Sequence, residues 1–227
     1  MALPLLLLEV GLYASSFFCG IVTAASIAIV QGNFGGRCML YGLVNYNVTA
    51  GLIGIESPSS PSLCYFVTTI SVMVVVVCFS VTLCCTFCIC GEGTRERVCM
   101  NLMIAVSVFF LFFLLITGCV VKIGRDSLCN SVIQKVPNIT SCEEAQTRKW
   151  VSPIRGGRFY ICLHDAGTAV WVNFFLWLII LLLVIVQRPQ GSGSGDVGGG
   201  HRGFGDAGVT AAETMPFFNH LTIVYME

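Results

Sequence analysis

Charge is scarce in this sequence. Asp, Glu, Lys and Arg make up 11% of its 227 residues, against about 25% in soluble domains. Four long stretches, Leu5–Val30, Cys64–Cys90, Val98–Val121 and Thr168–Gln187, hold a single formally charged side chain, Glu9. That scarcity excludes an ordinary soluble domain. Twelve basic residues balance twelve acidic ones, so no net field draws the chain to nucleic acid. Catalytic signatures are missing too: there is no H-E-x-x-H, no G-x-S-x-G and no phosphate loop. Of the three histidines, His164, His201 and His220, none falls in an apolar stretch. No enzyme, no cofactor and no metal site is expected. The two halves show no internal repeat, which removes the signature of many transporters.

What the chain has is apolar length. Hydrophobic residues reach 56%, with a mean hydropathy of +0.85. A helix needs about 20 mostly apolar residues to cross a bilayer, and each stretch is long enough. The expected fold is all-α: a four-pass transmembrane helix bundle in the lipid bilayer, with disulfide-braced outer loops and a disordered Gly-rich C-terminal tail. The transmembrane domain spans 1–187. The first stretch has no basic residue ahead of it and exceeds the usual apolar core of a signal peptide, so it reads as a retained span despite a passable cleavage sequence at Ser26-Ile27-Ala28. Gly91–Arg97 is so short that spans two and three form an antiparallel hairpin. In loop three, Lys122–Gly167, the end at Arg158–Asp165 reads as a short strand or an irregular lead-in to span four. The tail, 188–227, is Gly-rich and reads as a disordered cytoplasmic segment. Its apolar end, Met215–Met226, is too short to span.

Two sequons, Asn47-Val48-Thr49 and Asn138-Ile139-Thr140, fall in loop one, Gln31–Leu63, and in loop three. They are candidate glycosylation sites. Cys38, Cys64, Cys129, Cys142 and Cys162 fall in the same loops, as suits an oxidising compartment. Both signals put loops one and three outside and both termini in the cytoplasm. Charge argues the other way. Arg37, Lys122, Arg125, Lys135, Arg148, Lys149, Arg155 and Arg158 would all be outside, leaving Arg95, Arg97, Arg188 and Arg202 inside, against the positive-inside rule. Two independent chemistries outweigh that count here.

Cys38 and Cys64 bracket loop one, and Cys129 and Cys142 bracket part of loop three. Four such cysteines allow three connectivities. Within-loop pairing is simplest, and cross-loop pairing stays open. Cys162 is left over, as a free thiol or for an intermolecular bond. Cys84, Cys85, Cys88, Cys90 and Cys99 cluster at the inner ends of spans two and three. Juxtamembrane cysteines are candidates for S-palmitoylation; the alternative is that they act as small apolar residues. Within span one, Ser16, Gly20, Ala24 and Ala28 recur every four residues. They offer a groove for close helix packing, or for a second copy of the chain. Asn173 is the most polar residue well inside span four and reads as a helix–helix bonding group. Glu9 reads as interfacial or as a structural contact. Trp171, Trp177 and Tyr65 fit an aromatic belt, with Trp177 deep enough to pack inside.

These features favour a non-catalytic membrane protein whose outer loops meet an unknown membrane or extracellular protein partner. The alternative is a channel or transport subunit acting as an oligomer, marked by Glu9 and Asn173.

Several segments have a familiar order: Gln31-Gly-Asn-Phe-Gly-Gly-Arg-Cys38 with Tyr41-Gly42, Pro61-Ser-Leu-Cys-Tyr-Phe66, Ser127-Leu-Cys-Asn-Ser131, Ser141-Cys-Glu-Glu-Ala-Gln146 and Trp171-Val-Asn173 with Leu176-Trp177. Over Met1–Gln187 this resembles the transmembrane protein 179 family; the tail shows no visible match. The resemblance implies a four-pass protein of cell-surface or secretory-granule membranes, with no substrate or active site to carry over. It also implies four outer cysteines, matching Cys38, Cys64, Cys129 and Cys142, and leaves Cys162 outside the pattern. Claudins fit less well, because loop one lacks their Trp signature.

Overall fold

Hydrocarbon offers no hydrogen-bond partner, so a chain crossing it must close its own backbone bonds. The apolar stretches do this as helices. The computed structural model describes residues 2–87 and 93–187. In chain order the elements are α1 (Ala2–Asn33), β1 (Cys38–Asn47), β2 (Leu52–Ser59), α2 (Pro61–Phe87), α3 (Gly93–Lys135), a 3₁₀ turn (Glu144–Gln146) and α4 (Phe159–Gln187). The four α-helices are each long and apolar enough to cross a membrane. Tail 188–227, with its expected disorder and the Met215–Met226 stretch, lies outside the described residues, as do Cys88 and Cys90.

The mostly helical bundle has the expected four passes, but its helices do not stop where the apolar runs do. Span three was expected to end at Val121. Instead α3 continues unbroken to Lys135, about 20 Å further at 1.5 Å per residue. The reason is periodicity. Val121, Leu128, Val132 and Val136 are buried, spaced by three to four residues or twice that, and make one apolar stripe through an otherwise polar sequence. The expected strand or irregular lead-in at Arg158–Asp165 is likewise corrected: α4 starts at Phe159, and its buried Phe159, Leu163, Ala166 and Val170 follow the helical period.

Loop one adds a β-hairpin to the all-α bundle. β1 and β2 run antiparallel, with Val44 opposite Ile55 and Tyr46 opposite Ile53. The turn is held by Asn47, whose Oδ1 accepts from the Thr49 and Ala50 amides at 3.1 and 3.2 Å. Gly51 closes it at φ +65°, a conformation that suits glycine. The hairpin stands on the extension of α3. Ser131 Oγ accepts from the Val44 amide at 3.1 Å. A Cβ at Gly124 would lie 3.0 Å from Leu40 and 3.1 Å from Tyr41, so a bare backbone is what lets hairpin and helix close up.

Inside the bundle, α1 packs chiefly on α2 and α4, and α4 on α3. Despite the short link between them, α2 and α3 touch sparsely. The stripe expected on α1 carries only part of its length. Ser16 and Gly20 are buried, Ala24 is half-buried and Ala28 is exposed. A spacing of four overruns about 3.6 residues per turn, so the row drifts off the contact face. Thr23, Ile27 and Val30 take its place.

At Gly20 a Cβ would come within 2.8 Å of Val75 and 3.0 Å of the Ser71 carbonyl, whereas Gly11 faces open space. Gly20→Leu should therefore cost about 1–3 kcal/mol by overpacking, and Gly11→Ala should gain about 0.5–1 kcal/mol from helix propensity. Unfolding titrations of the purified chain in micelles read both. Equal effects at the two sites would show that this contact does not set the packing.

Candidate interaction surface

Four passes leave the membrane-facing helices little chemistry, and most of it closes on itself. Ser71, Ser107 and Thr117 donate to carbonyls one turn earlier at 2.7–2.8 Å, the usual way for a hydroxyl to be satisfied within a helix. Ser16 donates to Asn173 Oδ1 at 2.5 Å, and Cys78 Sγ donates to Ser16 at 3.4 Å, joining α1, α4 and α2. Gln187 Nε2 donates to Glu9 Oε1. Both polar residues singled out from the sequence thus bond across α1 and α4. Trp177 is fully buried beside Tyr13 and Phe110. Its indole N–H has no acceptor among the described residues.

The outer layer is built differently. Its core is an aromatic triad of Phe34, Trp150 and Phe159, with ring centroids 5.4–6.2 Å apart and edge-to-face geometry, a favoured arrangement for aromatic quadrupoles. Trp150 Nε1 donates to the Ala145 carbonyl at 3.1 Å. Gly156 lies against the same indole, where a Cβ would be 2.1 Å away. Ile53 of β2 receives a bond from the Val151 amide at 2.9 Å and donates to Lys149 O at 3.0 Å. Loop three therefore closes the outer edge of the hairpin, which would otherwise invite strand pairing. Phe34 and Ala145 fall within motifs of the family resemblance and Lys149 enters only through its charge; nothing in the sequence marks these residues as one core. An aromatic next to a Gly-Gly step (Trp150, Gly156-Gly157) is the one local hint.

Two disulfides brace this layer. Cys38–Cys64 joins the start of β1 to the first turn of α2, with Cα atoms 5.8 Å apart. Cys129–Cys142 joins the α3 extension to the segment before the 3₁₀ turn, at 5.2 Å. Both are within-loop pairs. Cys162 is a free, half-buried thiol and Cys84 is free and exposed. Cys85 and Cys99 fall in α2 and α3. Asn47 and Asn138 are exposed. Asn47 sits at the hairpin tip, its own Thr49 hydroxyl donating to it at 2.9 Å. Asn138 has φ 60°, and its carbonyl accepts from Arg148 at 3.2 Å.

A groove of about 360 Å³ opens between the hairpin and loop three. Phe34, Ile55, Val151 and Ile154 line it, with Arg37 as its one charge. No group of three His, Cys, Asp or Glu side chains that could hold a metal occurs among the described residues.

Glu144 organises the 138–147 segment. Its carboxylate accepts from the Thr140 amide at 2.9 Å and the Thr140 hydroxyl at 3.2 Å. The Thr140 amide, first, and then the hydroxyl, the Ser141 amide and the Arg148 charge hold its pKa below the usual carboxylate value. A lowered folded pKa gives a contribution that is present above the unfolded value and lost as pH falls through the folded one. Exchange protection of the Thr140 amide should therefore persist at neutral pH and fall on acidification below the ordinary carboxylate range. Glu144→Gln should abolish that pH step; a step that survives would place its origin elsewhere.

Residues 5–196 match the family described as Transmembrane protein 179/179B Claudin domain. Transmembrane protein 179B of Danio rerio is 53% identical, over 96% of this chain and 98% of its own length. The Homo sapiens protein of that name is 38% identical over 79% and 81%, and that of Mus musculus 37% over 82% and 85%. No solved structure matches. The missing Trp of loop one led away from claudins, yet the matching family is described by a claudin domain. The outer core draws its indole from loop three instead. The similarity also continues past Gln187, where the sequence motifs had seemed to stop.

Proposed function

We propose a binding role for this chain, which belongs to the Transmembrane protein 179/179B Claudin domain family and is a multi-pass membrane protein. Its outer layer presents a rigid, disulfide-braced surface to a membrane or extracellular protein, and it catalyses no reaction. One observation carries this reading: a folded, braced layer with an open groove stands on a bundle whose polar groups bond to one another. A solute path would need inward-facing polar groups, and Glu9 and Asn173 are engaged between helices, which disfavours the channel reading.

The sequons and the disulfides support loops one and three facing the lumen or cell exterior, with both termini and the 188–227 tail in the cytoplasm. Localisation in the plasma membrane or secretory-pathway vesicles follows. Cys84, exposed at the opposite end, and its neighbours Cys85, Cys88, Cys90 and Cys99 would then meet cytoplasmic acylation.

Glycosidase digestion should shift the wild-type chain, and Asn47→Gln and Asn138→Gln should each remove one step. Absence of any shift would reverse the proposed sides. Opening the second disulfide with Cys129→Ser and Cys142→Ser should cost about 3 kcal/mol. It should also remove partners that co-purify with the wild type in mild detergent, while membrane insertion persists. No reproducible partner of the wild type would end the binding reading.

A further inference from the structure

A second concavity, of about 330 Å³, opens between α3 and α4 at the end of the bundle nearest loops one and three. Its position is set by sequence. The apolar run of α3 ends at Val121, and Lys122 and Arg125 follow; the apolar run of α4 begins at Thr168, followed by Trp171, Val172 and Phe175. The two cations therefore sit at the edge of the hydrocarbon, where lipid phosphates lie, and the apolar side chains point the same cleft into the bilayer.

Helical spacing assembles each wall. Lys122 and Arg125 are three apart, and Thr168, Trp171, Val172 and Phe175 fall at i, i+3, i+4 and i+7, so each set shares a face. Missing side chains shape the cleft. A Cβ at Gly118 would lie 3.2–3.5 Å from the Trp171 ring, and one at Gly167 would lie 3.6 Å from Val121. The indole rests on bare backbone, and α3 and α4 meet closely beneath it.

The charges are unbalanced in favour of an anion. No acid lines the cleft. Arg125 donates to Asp126 Oδ1 at 2.9 and 3.1 Å, which orients the guanidinium. Arg125 is only 20% exposed, and Asp126 is 55% exposed. On α4, His164 and Asp165 lie 3.7 Å from each other, and Thr168 donates to the His164 carbonyl at 3.0 Å. Among the described residues Lys122 has no ion-pair partner and the Trp171 indole N–H has no hydrogen-bond acceptor. One positive charge and at least one free donor therefore face the cleft.

We propose that this cleft holds an anionic glycerophospholipid, its phosphate on Lys122 and Arg125 and its acyl chain along Trp171, Val172 and Phe175. A basic pocket between membrane helices is a recognised design for acidic headgroups. This site is independent of the outer groove; on the orientation proposed above it opens to the leaflet facing away from the cytoplasm.

The test uses the full-length chain in nanodiscs of phosphatidylcholine doped with phosphatidylserine, transferred to mild detergent and weighed by native mass spectrometry. Wild type should carry phosphatidylserine above its bulk fraction. Lys122→Gln should lower that enrichment about fivefold, and adding Arg125→Gln should remove it. Val172→Trp fills the apolar floor and keeps both cations; it too should remove the enrichment, and it decides the matter if the double variant does not fold. Lys149→Gln, in loop three, should leave it unchanged. Phosphatidylserine bound only at its bulk ratio would overturn the proposal, as would enrichment surviving Val172→Trp. Displacement of the lipid by inorganic phosphate alone would also overturn it, because the acyl chain would then contribute nothing.

Discussion

Everything in this molecule follows from the lack of hydrogen-bond partners in hydrocarbon. An unpaired polar group there costs several kcal/mol, so backbone bonds close within helices and side-chain hydroxyls close on carbonyls of their own turn. Other polar groups pair between helices, as Ser16 does with Asn173, and the buried Trp177 N–H is an exception among the described residues. Lipid tails are as apolar as leucine, so apolar burial does not drive the helices together. Close approach does, which is why Gly20 against Ser71 and Val75, and Gly118 under Trp171, matter more than the long valine and leucine runs.

Beyond the membrane the rules change. Water returns, and with it the hydrophobic effect; the outer segments are short, and with the ends of α1, α3 and α4 they bury an apolar core that includes Leu40, Val44, Ile53, Leu128 and Phe159. Small units of that kind need covalent help. Two disulfides supply it, each fastening an outer segment to a helix that continues into the bundle. The aromatic triad of Phe34, Trp150 and Phe159 then joins α1, loop three and α4 in one core. The layer is rigid because its parts rest on the helices that cross the membrane.

How much of this was legible depended on which signal was read. Membrane passage was plain because apolar length is a property of composition, and the four spans needed no tertiary knowledge. Helix ends are less legible, because polarity does not mark them. Lys122 ends the hydrocarbon run, but Leu128, Val132 and Val136 keep the helical period beyond it, and the same holds for Phe159 and Leu163 ahead of Thr168. The hairpin was hidden because its alternation is brief and interrupted: strand pairing shifts register between Cys38 and Val44, and Tyr41 adopts φ 65°. Trp150 carries little signal in the sequence, because its partner Phe34 lies more than 100 residues away and the fold alone brings the two together. Cysteine position, by contrast, made within-loop pairing the simplest choice, because brackets around a loop are visible in one dimension.

The 43-residue α3 has no hinge between the bilayer and the layer above it. It forms a wall of the bundle at one end and the post under the hairpin at the other. Such a rod acts as a lever whose fulcrum is the membrane surface. Any change in its lean, from bilayer thickness or from a neighbour pressing on the bundle, sweeps the hairpin sideways by an amount that grows with height.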